Sequence, residues 1–204
     1  MRKKSPQVAL ARYRQTVDDV RAFVAAVAAG GATNTVTARC YAHAVIWTYR
    51  ALEEFVLAIL VAQINRNPAH LYASVGVNFG KNPTAAQCEY LLVGDRYFDF
   101  RGHSGLVDFV KKVSPASSAL ETAVKDADSR KAFEILVALR NYVAHESDQS
   151  KASALKAMQH WEPNRQNLGS AGQWLRVQVG GQTRLERLLT KLDDLGNAMR
   201  QAVT

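Results

Sequence analysis

Cysteine is scarce in this chain: only Cys40 and Cys88 occur among 204 residues, with no CxxC spacing and no histidine cluster beside them. That excludes a disulfide framework and a zinc site of the usual pattern. Glycine (12) and proline (5) are sparse too, which excludes collagen-like and low-complexity sequence. No unbroken apolar run is longer than Phe55–Ala62, far short of the roughly 20 residues a helix needs to span a bilayer. The start Met1-Arg2-Lys3-Lys4 leads into Gln7, Arg12, Arg14 and Gln15, where a secretory signal would carry an apolar core. A reducing, cytoplasmic setting with no membrane is the expectation. Also missing are a Gly-rich phosphate loop with its lysine, a GxSxG elbow, an HExxH pair and carboxylates clustered at metal spacing. No metal or cofactor is expected.

What is present is an apolar share of 48% and a charged share of 22%, enough for one globular domain over residues 1–204 with a full-sized core. The net charge of +8 favours an acidic partner. Counted in blocks, residues 1–50 carry 8 basic and 2 acidic side chains, 51–100 carry 3 and 5, 101–150 carry 7 and 7, and 151–204 carry 8 and 4. The excess therefore sits at the two ends of the sequence. Much of the first block is the arm Arg2, Lys3, Lys4, Arg12 and Arg14, which reads either as a solvated terminus or as a set of phosphate contacts for RNA.

Leu10, Tyr13, Val17, Val20, Val24 and Val27 follow steps of three and four, the stripe of a helix that Pro6 opens and Gly30-Gly31 closes. Tyr41, Val45, Leu52, Phe55, Val56, Ile59 and Leu60 mark a second long helix ending near Asn67-Pro68. Trp47 is expected in its core. Between 68 and 103 the pattern is irregular: His70–Phe79 is compatible with strand, helical turn or loop, and only Pro83–Leu92 looks helical. Further helices are expected after Ser104, after Ser114-Pro115, after Ser129 through His145, and from a Ser150 cap to about His160. Within the connection from Pro163 to Thr183, Trp174–Val179 permits a hairpin arm or a surface loop. Leu185, Leu188, Leu189, Leu192, Leu195 and Met199 define a last helix. The expected fold is all-α, an up-and-down helical bundle with an irregular insertion around residues 68–103.

The informative stretch is Ala132–Glu146, an apolar helix carrying Glu134, Arg140, Asn141 and His145. At about 100° per residue, Glu134, Asn141 and His145 fall within about 40° of one another. Arg140 lies about 140° from His145 and only about 7.5 Å along the axis. A second copy of the helix across a dimer axis would bring both kinds of side chain over one groove. Structural roles compete with this reading, since Arg near a helix C-terminus favours the dipole and Asn and His at i,i+4 can bond to each other.

Leu139-Arg140-Asn141-Tyr142-Val143-Ala144-His145 resembles the Arg-x4-6-His motif of HEPN domains, in its short form and with the polar residue that often follows the arginine. Leu52-Glu53-Glu54-Phe55 is similar to the acidic position in an early helix of several subfamilies. The resemblance implies an all-α domain of prokaryotic toxin or antiviral defence type. It also implies a metal-independent endoribonuclease acting as a homodimer with both motifs lining one cleft, under the control of an antitoxin or a neighbouring nucleotidyltransferase-like protein.

The residue chemistry suits those roles. Histidine titrates near neutral pH, so His145 can withdraw a proton from a ribose 2′-hydroxyl. Arg140 offers a permanent cationic fork to a phosphate gaining charge. Asn141 can orient either, and Glu54 or Glu134 can fix the imidazole tautomer. The products would be a 2′,3′-cyclic phosphate and a 5′-hydroxyl. From a different class, a non-catalytic bundle in which the same residues hold a nucleotide or a partner protein is the alternative.

Overall fold

A computed structural model describes residues 3–78, 80–162 and 169–203. The fold is all-α. Its described residues form ten helices, α1 (Pro6–Ala29), α2 (Asn34–Arg66), α3 (Ala69–Val75), α4 (Ala85–Val93), α5 (His103–Val113), α6 (Ala119–Lys125), α7 (Ala127–His145), α8 (Asp148–Trp161), α9 (Ala171–Leu175) and α10 (Arg184–Ala202). One antiparallel hairpin, β1 (Gln178–Val179) with β2 (Gln182–Thr183), precedes α10. None of the described helices is long and apolar enough to cross a membrane.

The chain divides into two compact units. The first comprises Met1–Tyr13, Leu52–Asp126 and Asp194–Thr204, the second Arg14–Ala51 and Ala127–Asp193, so α1, α2 and α10 contribute residues to both.

In the first unit the apolar stripes of the long helices meet. Leu10, Tyr13, Phe55, Ile59 and Met199 are buried, and the Tyr13 and Phe55 rings stack at 5.2 Å. Gly196 lets α10 approach closely, because a Cβ there would sit 3.2 Å from Leu10 Cδ1 and 3.6 Å from Tyr13 Cε1. Buried Asn65, near the end of α2, organises its surroundings. Its Oδ1 accepts from the Lys4 backbone N–H at 2.9 Å and its Nδ2 donates to the Pro83 carbonyl at 2.6 Å. Arg66 adds a bond from its guanidinium to the Lys4 carbonyl at 2.7 Å. The region 68–103 contains α3 and α4, which bury Leu71, Cys88 and Leu92 and are flanked by these polar bonds. His70 and His103 are structural here, their Nε2 atoms bonding to the carbonyls of Lys111 at 2.9 Å and Val124 at 2.7 Å. Cys88 is fully buried, and that burial pushes its thiol up to about 11, while Cys40 in the second unit is half-buried.

In the second unit α7 and α8 fold back on each other across the short link Glu146-Ser147, and α9 packs on α2. Gly172 sets that contact: a Cβ on it would lie 1.7 Å from the Ala38 carbonyl oxygen. No rotation relieves a clash with backbone, so Gly172→Ala is expected to push α9 off α2 and to cost about 1–3 kcal/mol. Chemical denaturation against the parent chain checks it. At the other end of the connection the Arg184 side chain is buried, bonded to Glu162 and to the Trp174 carbonyl, with its guanidinium 4.8 Å from the Trp174 ring centroid.

Several expected helix starts are displaced, for one reason: a serine near a helix start can serve more than one position. Ser147, not Ser150, caps α8, and Ser150 is its partner in a capping box. Ser118 caps α6, whereas Ser114 ends α5 and Pro115 lies in the turn between them. Gly102 occupies the N-cap of α5 in place of Ser104. Ser129 lies inside α7 and is buried. Trp47 is not core. It is 43% exposed and meets the Phe23 ring edge-on at 6.4 Å. Trp174–Leu175 belongs to α9, and the hairpin occupies only 178–183. Phe79 and Pro163, which bounded two of the expected segments, lie outside the described residues.

Candidate functional site at the end of α7

The helix that carries the Arg-Asn-His motif is built by burial along one face. Ala132, Phe133, Ile135, Leu136 and Leu139 are buried in α7, and after the apolar run Ile135–Leu139 its last turns carry Arg140, Asn141 and His145. There Arg140 and Asn141 are half-buried and His145, the final residue of the helix, is exposed.

Arg140 is held from two sides. Its Nη1 donates to Asn141 Oδ1 at 2.9 Å, and its guanidinium carbon lies 4.8 Å from the centroid of the Tyr49 ring. Tyr49 is buried on α2, so the stacked cation has a fixed platform. No carboxylate among the described residues pairs with Arg140. A guanidinium that is oriented but not neutralised keeps its capacity for an external anion. Asn141 spends its oxygen on Arg140 and retains two amide N–H donors.

Immediately after His145, Glu146 adopts φ 47°, the left-handed region, and its N–H closes the helix on the Tyr142 carbonyl at 2.9 Å. Glycine is the usual residue at such a terminus, and a side chain there costs about 1 kcal/mol. Glu146→Gly is therefore expected to raise the thermal midpoint by roughly 2–4 °C, readable by calorimetry.

The other expected members are placed differently. Glu134 accepts from Arg130 Nε at 2.7 Å and lies 3.4 Å from His160 Nδ1 on α8. Eleven residues separate it from His145, roughly 16 Å of axial rise, so within one chain it shares a face with His145 but not a level. It does not hold the imidazole. Glu54 is exposed and belongs to the first unit, while Arg140, Asn141 and His145 belong to the second. Of the basic arm, Arg2 lies outside the described residues, and Lys3, Lys4 and Arg12 are exposed in the first unit. Arg14 is committed internally by a two-pronged bond to Asp193 at 2.7 and 2.9 Å, a bond that raises its pKa.

Sequence reasoning did not find Tyr49, because nothing local links it to a residue 91 positions later. Nor did it find a cleft of about 310 Å3 beside the motif, bounded by α2, the last turn of α7 and the start of α9. One readable sign of it was the ending Ala144-His145-Glu146-Ser147, a helix terminus with no glycine. Compared with family models, with curated proteins and with solved structures, the chain matches none.

Proposed function

We propose that this protein is a metal-independent endoribonuclease that acts as a homodimer in a toxin or antiviral defence role. The observation that carries the reading is Arg140, oriented by Tyr49 and Asn141 and paired with no carboxylate among the described residues, followed by an exposed His145 at the helix end. His145 takes the proton of a ribose 2′-hydroxyl, and the 2′-oxygen attacks the adjacent phosphorus. The bond to the 5′-oxygen breaks, and that oxygen leaves with a proton from an imidazolium or from water. A 2′,3′-cyclic phosphate and a 5′-hydroxyl result. Arg140 stabilises the charge that builds on the phosphoryl oxygens. Because about 140° of helix rotation separates Arg140 from His145, a second copy supplies the facing motif. Lys3, Lys4 and Arg12 add salt-sensitive attraction for the backbone. Control by an antitoxin or a nucleotidyltransferase-like partner fits an enzyme that would damage its own cell.

The test is incubation of the purified chain with RNA in EDTA, with analysis of product ends. Cleavage that leaves cyclic phosphates and vanishes in His145→Ala supports the reading; loss of cleavage on chelation, or equal activity in His145→Ala, sinks it. The cleft beside the motif favours a second reading, a non-catalytic nucleotide- or partner-binding bundle. RNA bound but left whole would select it.

A further inference from the structure

The cleft at the end of α7 lies wholly within the second unit, and its chemistry is specific. Its volume of about 310 Å3 stands at the small end of ligand pockets, room for one nucleoside-sized group. Its apolar walls are the short side chains Ala38, Ala42, Val143 and Ala171, beside the Tyr142 ring, which is a setting for a planar base. The contact of Gly172 with Ala38 brings the α9 wall to α2. Two charges of opposite sign, Arg39 and Glu146, also line it. Both are exposed, and among the described residues neither forms an ion pair, with the other or with any third group. Glu146 also keeps a side chain where the backbone favours glycine.

A carboxylate only accepts hydrogen bonds, and its two oxygens suit two neighbouring N–H donors. Of the four RNA bases, guanine alone offers such a pair on its pairing edge, N1–H beside the 2-amino group. Adenine presents N1 and cytosine N3 as acceptors, and uracil flanks its single N–H with two carbonyls. Glu146 directly follows His145 in the chain, which ties the cleft to the motif.

We infer that this cleft is a guanine-selective base subsite, with Glu146 reading the base edge and Arg39 supplying the cation for the nucleotide's phosphate. The inference rests on the ribonuclease reading for the identity of the polymer, and on the cleft alone for the base. The test uses full-length His145→Ala protein and titrates 3′-GMP and 3′-AMP by calorimetry. The expected result is 3′-GMP binding at least about tenfold more tightly, the discrimination of one two-pronged base contact. Glu146→Gln is expected to bring the two within about twofold, and Arg39→Ala to weaken both alike, with circular dichroism showing each variant folded. Equal affinities before any further substitution, or a preference that survives Glu146→Gln, overturns the inference. Cleavage of RNA by the parent chain together with equal nucleotide affinities removes the subsite and leaves the ribonuclease. A tenfold preference for 3′-GMP in a protein that leaves RNA whole keeps the subsite and removes the ribonuclease.

Discussion

His145→Ala is expected to lower kcat/KM for RNA cleavage by about 10²–10⁴, the usual contribution of a positioned general base, while leaving stability within roughly 0.5 kcal/mol. The separation follows from placement. His145 is exposed at the end of α7, so its removal empties no core. Arg140→Lys is expected to lower the same rate through a different loss. Lysine keeps the charge, but it has neither the planar face that stacks on Tyr49 nor the fork that takes Asn141 and a phosphate together. Initial rates in EDTA, with chemical denaturation of each variant alongside, decide the matter. Rates within twofold of the parent in both variants would remove the motif from the chemistry.

A second large effect is expected far from that motif, in Glu162→Ala. Glu162 accepts from Arg184 Nε at 2.9 Å and from Arg187 Nη1 at 2.7 Å, and the Arg184 side chain is only 2% exposed. Removing the carboxylate leaves a buried guanidinium without its counter-charge, a change that costs about 3–5 kcal/mol. The pH dependence has a definite sign. Burial pushes the Glu162 carboxyl upward, but the bond and charge of Arg184, then those of Arg187, outweigh it and hold the carboxyl below its ordinary value. Such a group adds stability above the ordinary glutamate value of 4.5 and withdraws it as the pH falls further. The stability gap between the parent chain and Glu162→Gln is therefore expected to be wide at neutral pH and to narrow toward about pH 3. Urea unfolding at both pH values measures it, and a gap independent of pH would mean that the ion pair is not what holds α10 at its start.

The long helices were legible because their burial is periodic. Val17, Val20 and Val24 in α1 and Leu188, Leu192 and Leu195 in α10 are all buried, as one-sided spacing requires. Punctuation by Gly30-Gly31 and Asn67-Pro68 placed the ends of α1 and α2 correctly. Short helices were less legible because capping depends on which of two serines accepts the N–H, as Ser147 and Ser150 show. Periodicity also gives an angle around a helix and no height along it. That is why Glu134 shares a face with His145 on paper yet binds Arg130 and His160 in the fold. At the motif, residue types and order were visible in Arg140-Asn141-x3-His145. The Tyr49 platform and the Arg39–Glu146 cleft exist only once α2 lies beside α7.

The buried Cys88 turns these substitutions into a measurement of cooperativity. An alkylating reagent meets its thiol only when the first unit opens, so at low reagent concentration the labelling rate follows the opening equilibrium. Glu162 and Arg184 belong to the second unit, and the damage done by Glu162→Ala begins there. Cys88 is thus a clock placed on one unit while the fault is introduced in the other. Labelling that quickens in step with the loss of the second unit marks a chain that unfolds as one body, and labelling that keeps its pace marks two.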